Sequence, residues 1–136
     1  MFDPRLFDSP DKLHRMQVWM SDPLPLVATG PVINDYTITV DRSGLLRLVG
    51  WATGHPRFGA TWMTTSSVWQ IPDTGQQART TGRWYQLADL HSIPDVVDES
   101  DRSRAIYGDC LTLAQAQSRL QDLREVVEKT LRTGRT

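Results

Sequence analysis

Residues 45–87, LLRLVGWATGHPRFGATWMTTSSVWQIPDTGQQARTTGRWYQL, hold four of the five tryptophans of the chain: Trp51, Trp62, Trp69 and Trp84. Two breaks punctuate the stretch, Thr53-Gly54-His55-Pro56-Arg57-Phe58-Gly59 and Pro72-Asp73-Thr74-Gly75. Each carries proline and glycine where a turn needs a preset or a positive φ. The runs between them are β-branched and aromatic, the composition of strands. A chain that gathers its largest apolar surfaces in such runs has to bury them as a sheet.

The flanking sequence extends that reading. In NDYTITV, Tyr36, Ile38 and Val40 alternate with polar neighbours, and Asp41-Arg42-Ser43-Gly44 supplies a turn. Strands are expected at 34–40, 45–53, 61–71 and 76–87, a four-stranded antiparallel meander over 34–87. The second strand is apolar on both parities, Leu46 and Leu48 against Val49 and Trp51, which predicts a central strand covered on both faces. On the last strand, alternation puts Arg79, Thr81, Arg83, Tyr85 and Leu87 on one face.

A helix is expected at each end of the chain. Ser9-Pro10-Asp11 combines an N-cap serine, a first-turn proline and an acid for the helix dipole, and Leu13, Met16 and Met20 recur at helical spacing over 9–20. Asp22-Pro23-Leu24-Pro25 stops it. From Thr112 as N-cap, Leu113, Ala116, Leu120, Leu123, Val127 and Leu131 form a stripe over 112–133. This stripe packs either on the sheet or on a second copy of itself, leaving a monomer or a helix-mediated homodimer. Residues 88–110 show no period and read as an acidic connector with one helical turn at Ile106 and Tyr107. The whole is a single α+β domain of 136 residues.

Net charge is −1, which gives no global attraction to nucleic acid or membrane. The average hides a division. Residues 42–88 carry five arginines against Asp73, whereas 89–101 carry Asp89, Asp95, Asp98, Glu99 and Asp101 with no basic residue. Cys110 is the only cysteine, which excludes an intramolecular disulfide and a four-cysteine zinc site. The N-terminal MFDPRLFDSP has no apolar run of signal-peptide or transmembrane length, so a cytoplasmic location without membrane contact is expected.

Catalytic signatures are missing. There is no phosphate loop, no dinucleotide fingerprint and no G-x-S-x-G elbow around the hydroxyl run Thr64 to Ser67. No metal and no cofactor are expected, because no histidine pair has ligand spacing. His55, in a glycine-flanked loop, is suited either to a ligand or proton-transfer role or to hydrogen bonding with its own loop backbone. Cys110 with His91 and Asp95 or Asp109 would make a thiol nucleophile only if the fold assembled them. Arg47, Arg79 and Arg83 with Trp51, Trp69 and Tyr85 suit a face that stacks single-stranded nucleic acid; the alternative places the tryptophans in the core and pairs the arginines with the acidic connector.

The pattern Gly50-x-x-x-Gly54-His55-Pro56, Thr65-Ser66-x-Val68-Trp69 and Ala78-Arg79-Thr80-Thr81-x-Arg83-x-Tyr85-x-Leu87 resembles a family of short uncharacterised bacterial and phage-borne proteins, a domain of unknown function. The resemblance spans residues 50–87. It implies a shared sheet topology and an accessory protein of a mobile element that binds a host component. The expectation is therefore a non-enzymatic protein-binding module inhibiting a host defence complex, of the anti-CRISPR type. Its contact residues would be Arg57, Phe58, Arg79, Arg83, Asp95, Asp98 and Glu99, with His55, Arg47 and Tyr85 as the ligand or nucleic-acid alternatives.

Overall fold

The computed structural model describes residues 2–89 and 110–133. The connector acids Asp95, Asp98 and Glu99, together with His91, Asp109 and the helical turn expected at Ile106 and Tyr107, lie outside the described residues.

A 3-10 turn at Pro4–Phe7 opens on Asp3, whose carboxylate accepts from the Arg5 N–H at 2.9 Å. Helix α1, Pro10–Ser21, begins at Ser9, whose hydroxyl accepts from the Lys12 N–H at 3.3 Å. Seven strands follow: β1 Val32–Val40, β2 Leu46–His55, β3 Gly59–Thr64, β4 Val68–Gln70, β5 Gln77–Thr80, β6 Trp84–Leu87 and β7 Cys110–Leu111. Helix α2, Leu113–Arg132, ends the described chain.

The domain is α+β with a helix at each end, but among the described residues its sheet has seven strands and is not a four-stranded meander. Two local events account for most of the difference. First, the expected third strand is broken into β3 and β4 at Thr65. The Thr65 N–H donates to the Leu48 carbonyl at 2.9 Å, but its hydroxyl, not its carbonyl, accepts from the Leu48 N–H at 3.1 Å. The Thr65 carbonyl accepts instead from Arg47 Nη1 at 3.2 Å. A side-chain oxygen has replaced a rung of the ladder, the competition that short hydroxyl residues offer the backbone.

Second, the expected last strand is a hairpin. The chain reverses at Thr81-Gly82-Arg83, the Thr80 N–H donates to the Arg83 carbonyl at 2.9 Å, and Arg79 lies opposite Trp84. Arg79 and Arg83 therefore do not share a strand face. With β3 and β4 as successive parts of one course beside β2, the extra reversal makes five courses. Five courses are joined by four reversals, and an even number of antiparallel steps returns β6 parallel to β1, pairing Val32 with Gln86 and Ile33 with Leu87. The pairs β1–β2, β2–β4, β4–β5, β5–β6 and β6–β1 close a ring, with β3 and β7 as extensions from β2 and β1.

Inside the ring lie Ile33, Tyr36, Ile38, Leu46, Leu48, Ala52, Val68, Ala78 and Tyr85, joined by Ala116 and Leu120 of α2. Gly50 sits where β1 bulges at Asp35 (φ 52°): a Cβ there would stand 2.9 Å from the Asn34 carbonyl oxygen and 3.0 Å from Tyr36 Cα. A second core joins the helices: Leu13, Met16 and Met20 of α1, Leu123 and Val127 of α2, Leu45 just before β2 and Trp69 of β4. Trp19 stacks on Trp69 with centroids 5.2 Å apart. The α2 stripe is thus buried within its own chain, and its apolar face is not available to a second copy.

One expectation about β2 is overturned. Both helices pack against β4 and against each other, so Arg47, Val49, Trp51 and Thr53 of β2 face outward without the expected helical cover, while the irregularity before His55 turns that residue inward. Trp51 remains 43% exposed.

Candidate functional site

The β2–β3 hairpin is where the open face and the loop residues meet. Pro56, Arg57 and Phe58 form its tip, and His55 fixes it. The imidazole Nδ1 accepts the N–H of Arg57 at 3.0 Å and that of Phe58 at 3.2 Å. An acceptor Nδ1 places the proton of the neutral ring on Nε2. The ring lies 4.8 Å from that of Phe58 and 6.5 Å from that of Tyr85, centroid to centroid. Burial lowers the His55 pKa, and the positive charges of Arg83 and Arg57 lower it further. This environment holds the imidazole neutral and uses its basic nitrogen to shape the turn.

Below the tip, Gly54 takes a positive φ of 76° and the β2–β3 register shifts between Ala52 and His55. The glycine accepts a bulge conformation that a side chain would resist. Because of that shift, Trp51 stands opposite Trp62. Both point outward, 43% and 56% exposed, and Phe58 at the tip is 57% exposed. Three large aromatic side chains on one hairpin are open to solvent, while Arg57 lies 5.6 Å over the Phe58 ring.

The structure brings His55, Arg57, Phe58, Arg83 and Tyr85 to one end of the strand ring. Tyr85 is buried there, and burial raises its phenol pKa, with Arg83 opposing. It is a core residue, as is Trp69, which donates Nε1–H to the Thr81 hydroxyl at 2.9 Å. Arg79 is placed elsewhere. Its Nε bonds Asp22 Oδ2 at 2.7 Å, beside the Trp84 Nε1–H at 2.9 Å from the same oxygen, and its guanidinium also reaches the Thr80 carbonyl. Gln70 joins this cluster by donating to the carbonyls of Trp19 and Asp22, both at 2.8 Å. The group ties the end of α1 to β4, β5 and β6. Arg47 is held by Asp41 at 3.2 Å and by the Thr65 carbonyl. Burial pushes the Asp41 carboxyl up, but hydrogen bonds from Ser43, Arg47 and the Leu45 N–H outweigh it, and its pKa lies below the ordinary range.

Of the six side chains expected to make a nucleic-acid face, two are core and two are ion-paired, so they do not form one surface. Cys110 lies in β7, half-buried, and the histidine and aspartates considered with it are outside the described residues. Among the described residues, no group of three or more His, Cys, Asp and Glu side chains is placed to hold a metal ion. No helix among them is long and apolar enough to cross a membrane.

Trp62 lies outside the contact residues expected from the sequence. The signal that finds it is Gly54: counted from an unbulged turn, Trp51 would oppose Met63, and only the extra residue at Gly54 pairs the two tryptophans.

Fold and site together define a small α+β domain whose open surface is an aromatic hairpin on a closed ring of strands. The chain belongs to a family of unknown function, DUF6634, whose profile matches residues 21–133. The match takes in residues 50–87 and extends through the connector and all of α2. No curated protein and no solved structure matches the chain.

Proposed function

We propose that this protein is a non-enzymatic binding module that docks a partner protein on the β2–β3 hairpin. The observation that carries the reading is the pair Trp51 and Trp62, side by side on an outer sheet face and each about half exposed. Tryptophans are enriched at the energetic centres of protein interfaces, and an exposed pair is costly to leave in water. Around the tryptophans the face is poor in free positive charge because Arg47 is tied to Asp41, and Arg57 and Arg83, without an ion pair among the described residues, stand only at its tip. That favours a protein over a nucleic acid, whose binding needs several phosphate contacts. Within this reading the resemblance to phage-borne proteins makes a host complex the expected partner and inhibition of a defence complex the expected activity.

The test is a nuclease-treated pull-down from host lysate with wild-type protein and with Trp51→Ala and Trp62→Ala. A partner retained by the wild type should bind each variant at least about 30-fold more weakly, the roughly 2 kcal/mol expected of a central aromatic anchor. Its affinity should change little between 50 and 200 mM salt. Retention of nucleic acid with a steep salt dependence would replace this reading.

A further inference from the structure

The hairpin's outer strand carries a more specific message about the partner, one that rests on reading the hairpin as the binding surface. The bond from the Thr65 N–H to the Leu48 carbonyl sets the phase of β3. Thr65 turns its N–H toward the β2 backbone, and by alternation Met63 and Thr61 turn theirs the same way. Ala60, Trp62 and Thr64 therefore turn theirs away from β2. Among the described residues β3 ends the strand order, so no strand meets them on that side. Natural edges are usually blunted by lysine, proline, an inward charge or a covering element. Gly59–Thr64 reads GATWMT, with no charge and no proline.

Charge is concentrated at one end of this edge. Arg57 precedes β3 directly, and Arg83 is close enough to act on His55, the residue paired with Gly59. Neither arginine makes an ion pair among the described residues. An added strand thus meets uncharged backbone and Trp62 along its length and two positive charges at the N-terminal end of β3.

We infer that the β3 edge takes up an extended segment of a partner protein as an added antiparallel strand, uncharged and β-branched beside Trp62 and acidic at its C-terminal end, where it reaches Arg57 and Arg83. Antiparallel pairing is the more stable arrangement per residue, and it places the C-terminus of the incoming strand at the basic end.

The test is amide hydrogen exchange by NMR on the full chain with an acetylated heptapeptide, Thr-Val-Thr-Val-Thr-Asp-Asp. At saturation, exchange at Ala60, Trp62 and Thr64 should slow by at least about tenfold, while Thr61 and Met63, already bonded to β2, should not change. Replacing both peptide aspartates by lysine, or Arg57 and Arg83 by glutamine, should weaken binding roughly threefold or more without altering which amides are protected at saturation. Absence of protection at millimolar peptide would overturn the inference. So would protection of the same amides in the protein alone that disappears on dilution, since a second copy would then occupy the edge. The partner retained in the pull-down separates the two readings. If its binding needs Trp51 but leaves Ala60, Trp62 and Thr64 unprotected, strand addition fails and the binding face stands. If it is indifferent to both tryptophans, both readings fail.

Discussion

His55 shows how one side chain does structural work that its chemistry would equally suit to catalysis. Its Nδ1 holds two N–H groups of a tip that would otherwise leave them without an intramolecular partner. Protonating Nδ1 would break both bonds. The folded-state pKa lies below the ordinary value, so the unfolded chain binds more protons than the folded one between the folded pKa and the unfolded value of about 6.5. The contribution of His55 is therefore complete above about pH 6.5 and is lost as pH falls through that window. Thermal unfolding from pH 8 to 5 should show a decline in Tm that is shallower in His55→Ala; equal slopes in the two proteins would rule this out. The two roles of His55 were both open in the sequence, because the choice depends on where Nδ1 lies relative to the Arg57 and Phe58 amides. The same holds for Arg79: nothing in the strand pattern points 57 residues back to Asp22, the partner that removes it from the surface.

At the level of elements, local signals sufficed where the bonds are local. Helix α2 begins with a reciprocal cap: the Thr112 hydroxyl accepts from the Gln115 N–H at 3.2 Å and the Gln115 side chain accepts from the Thr112 N–H at 2.9 Å. The Thr112→Ala variant should lose about 1 kcal/mol in urea unfolding with an unchanged m-value. A change below about 0.3 kcal/mol would show that the cap contributes nothing beyond the packing of the first turn. The strands were less legible. Alternation through QARTTGRWYQL fits one long strand, yet the Thr80 hydroxyl and the Arg83 backbone close a turn there. Gly82 is the one turn signal at the bend, and a single glycine inside an alternating run fits a bulge in one strand as well as a tight hairpin.

The whole molecule is organised by α2, which crosses from one core to the other. Ala116 and Leu120 join the interior of the strand ring, and Leu123 and Val127 join α1 beside Trp69. Two cores sharing one rigid helix should melt together. The Leu123→Ala variant is expected to cost about 2–5 kcal/mol, with far-UV and near-UV signals still falling in one coincident transition. Separate transitions would show that the helical layer unfolds independently of the ring.

Composition, turn residues and periodicity by themselves determined that this chain is α+β, with a capped helix on either side of a tryptophan-rich sheet. Those properties follow from near-neighbour chemistry: a hydroxyl at an N-cap, a proline that cannot donate, a side chain every second residue. Tertiary structure alone decided how many strands there are, that β6 returns parallel to β1, and which tryptophans stay in the light of solvent. Trp69 is covered by Trp19 from a helix 50 residues earlier, while Trp51 and Trp62 have no such cover from the helices. The difference lies in where two helices found room to pack, and that is set by the closure of the ring as a whole, not by any one segment of it.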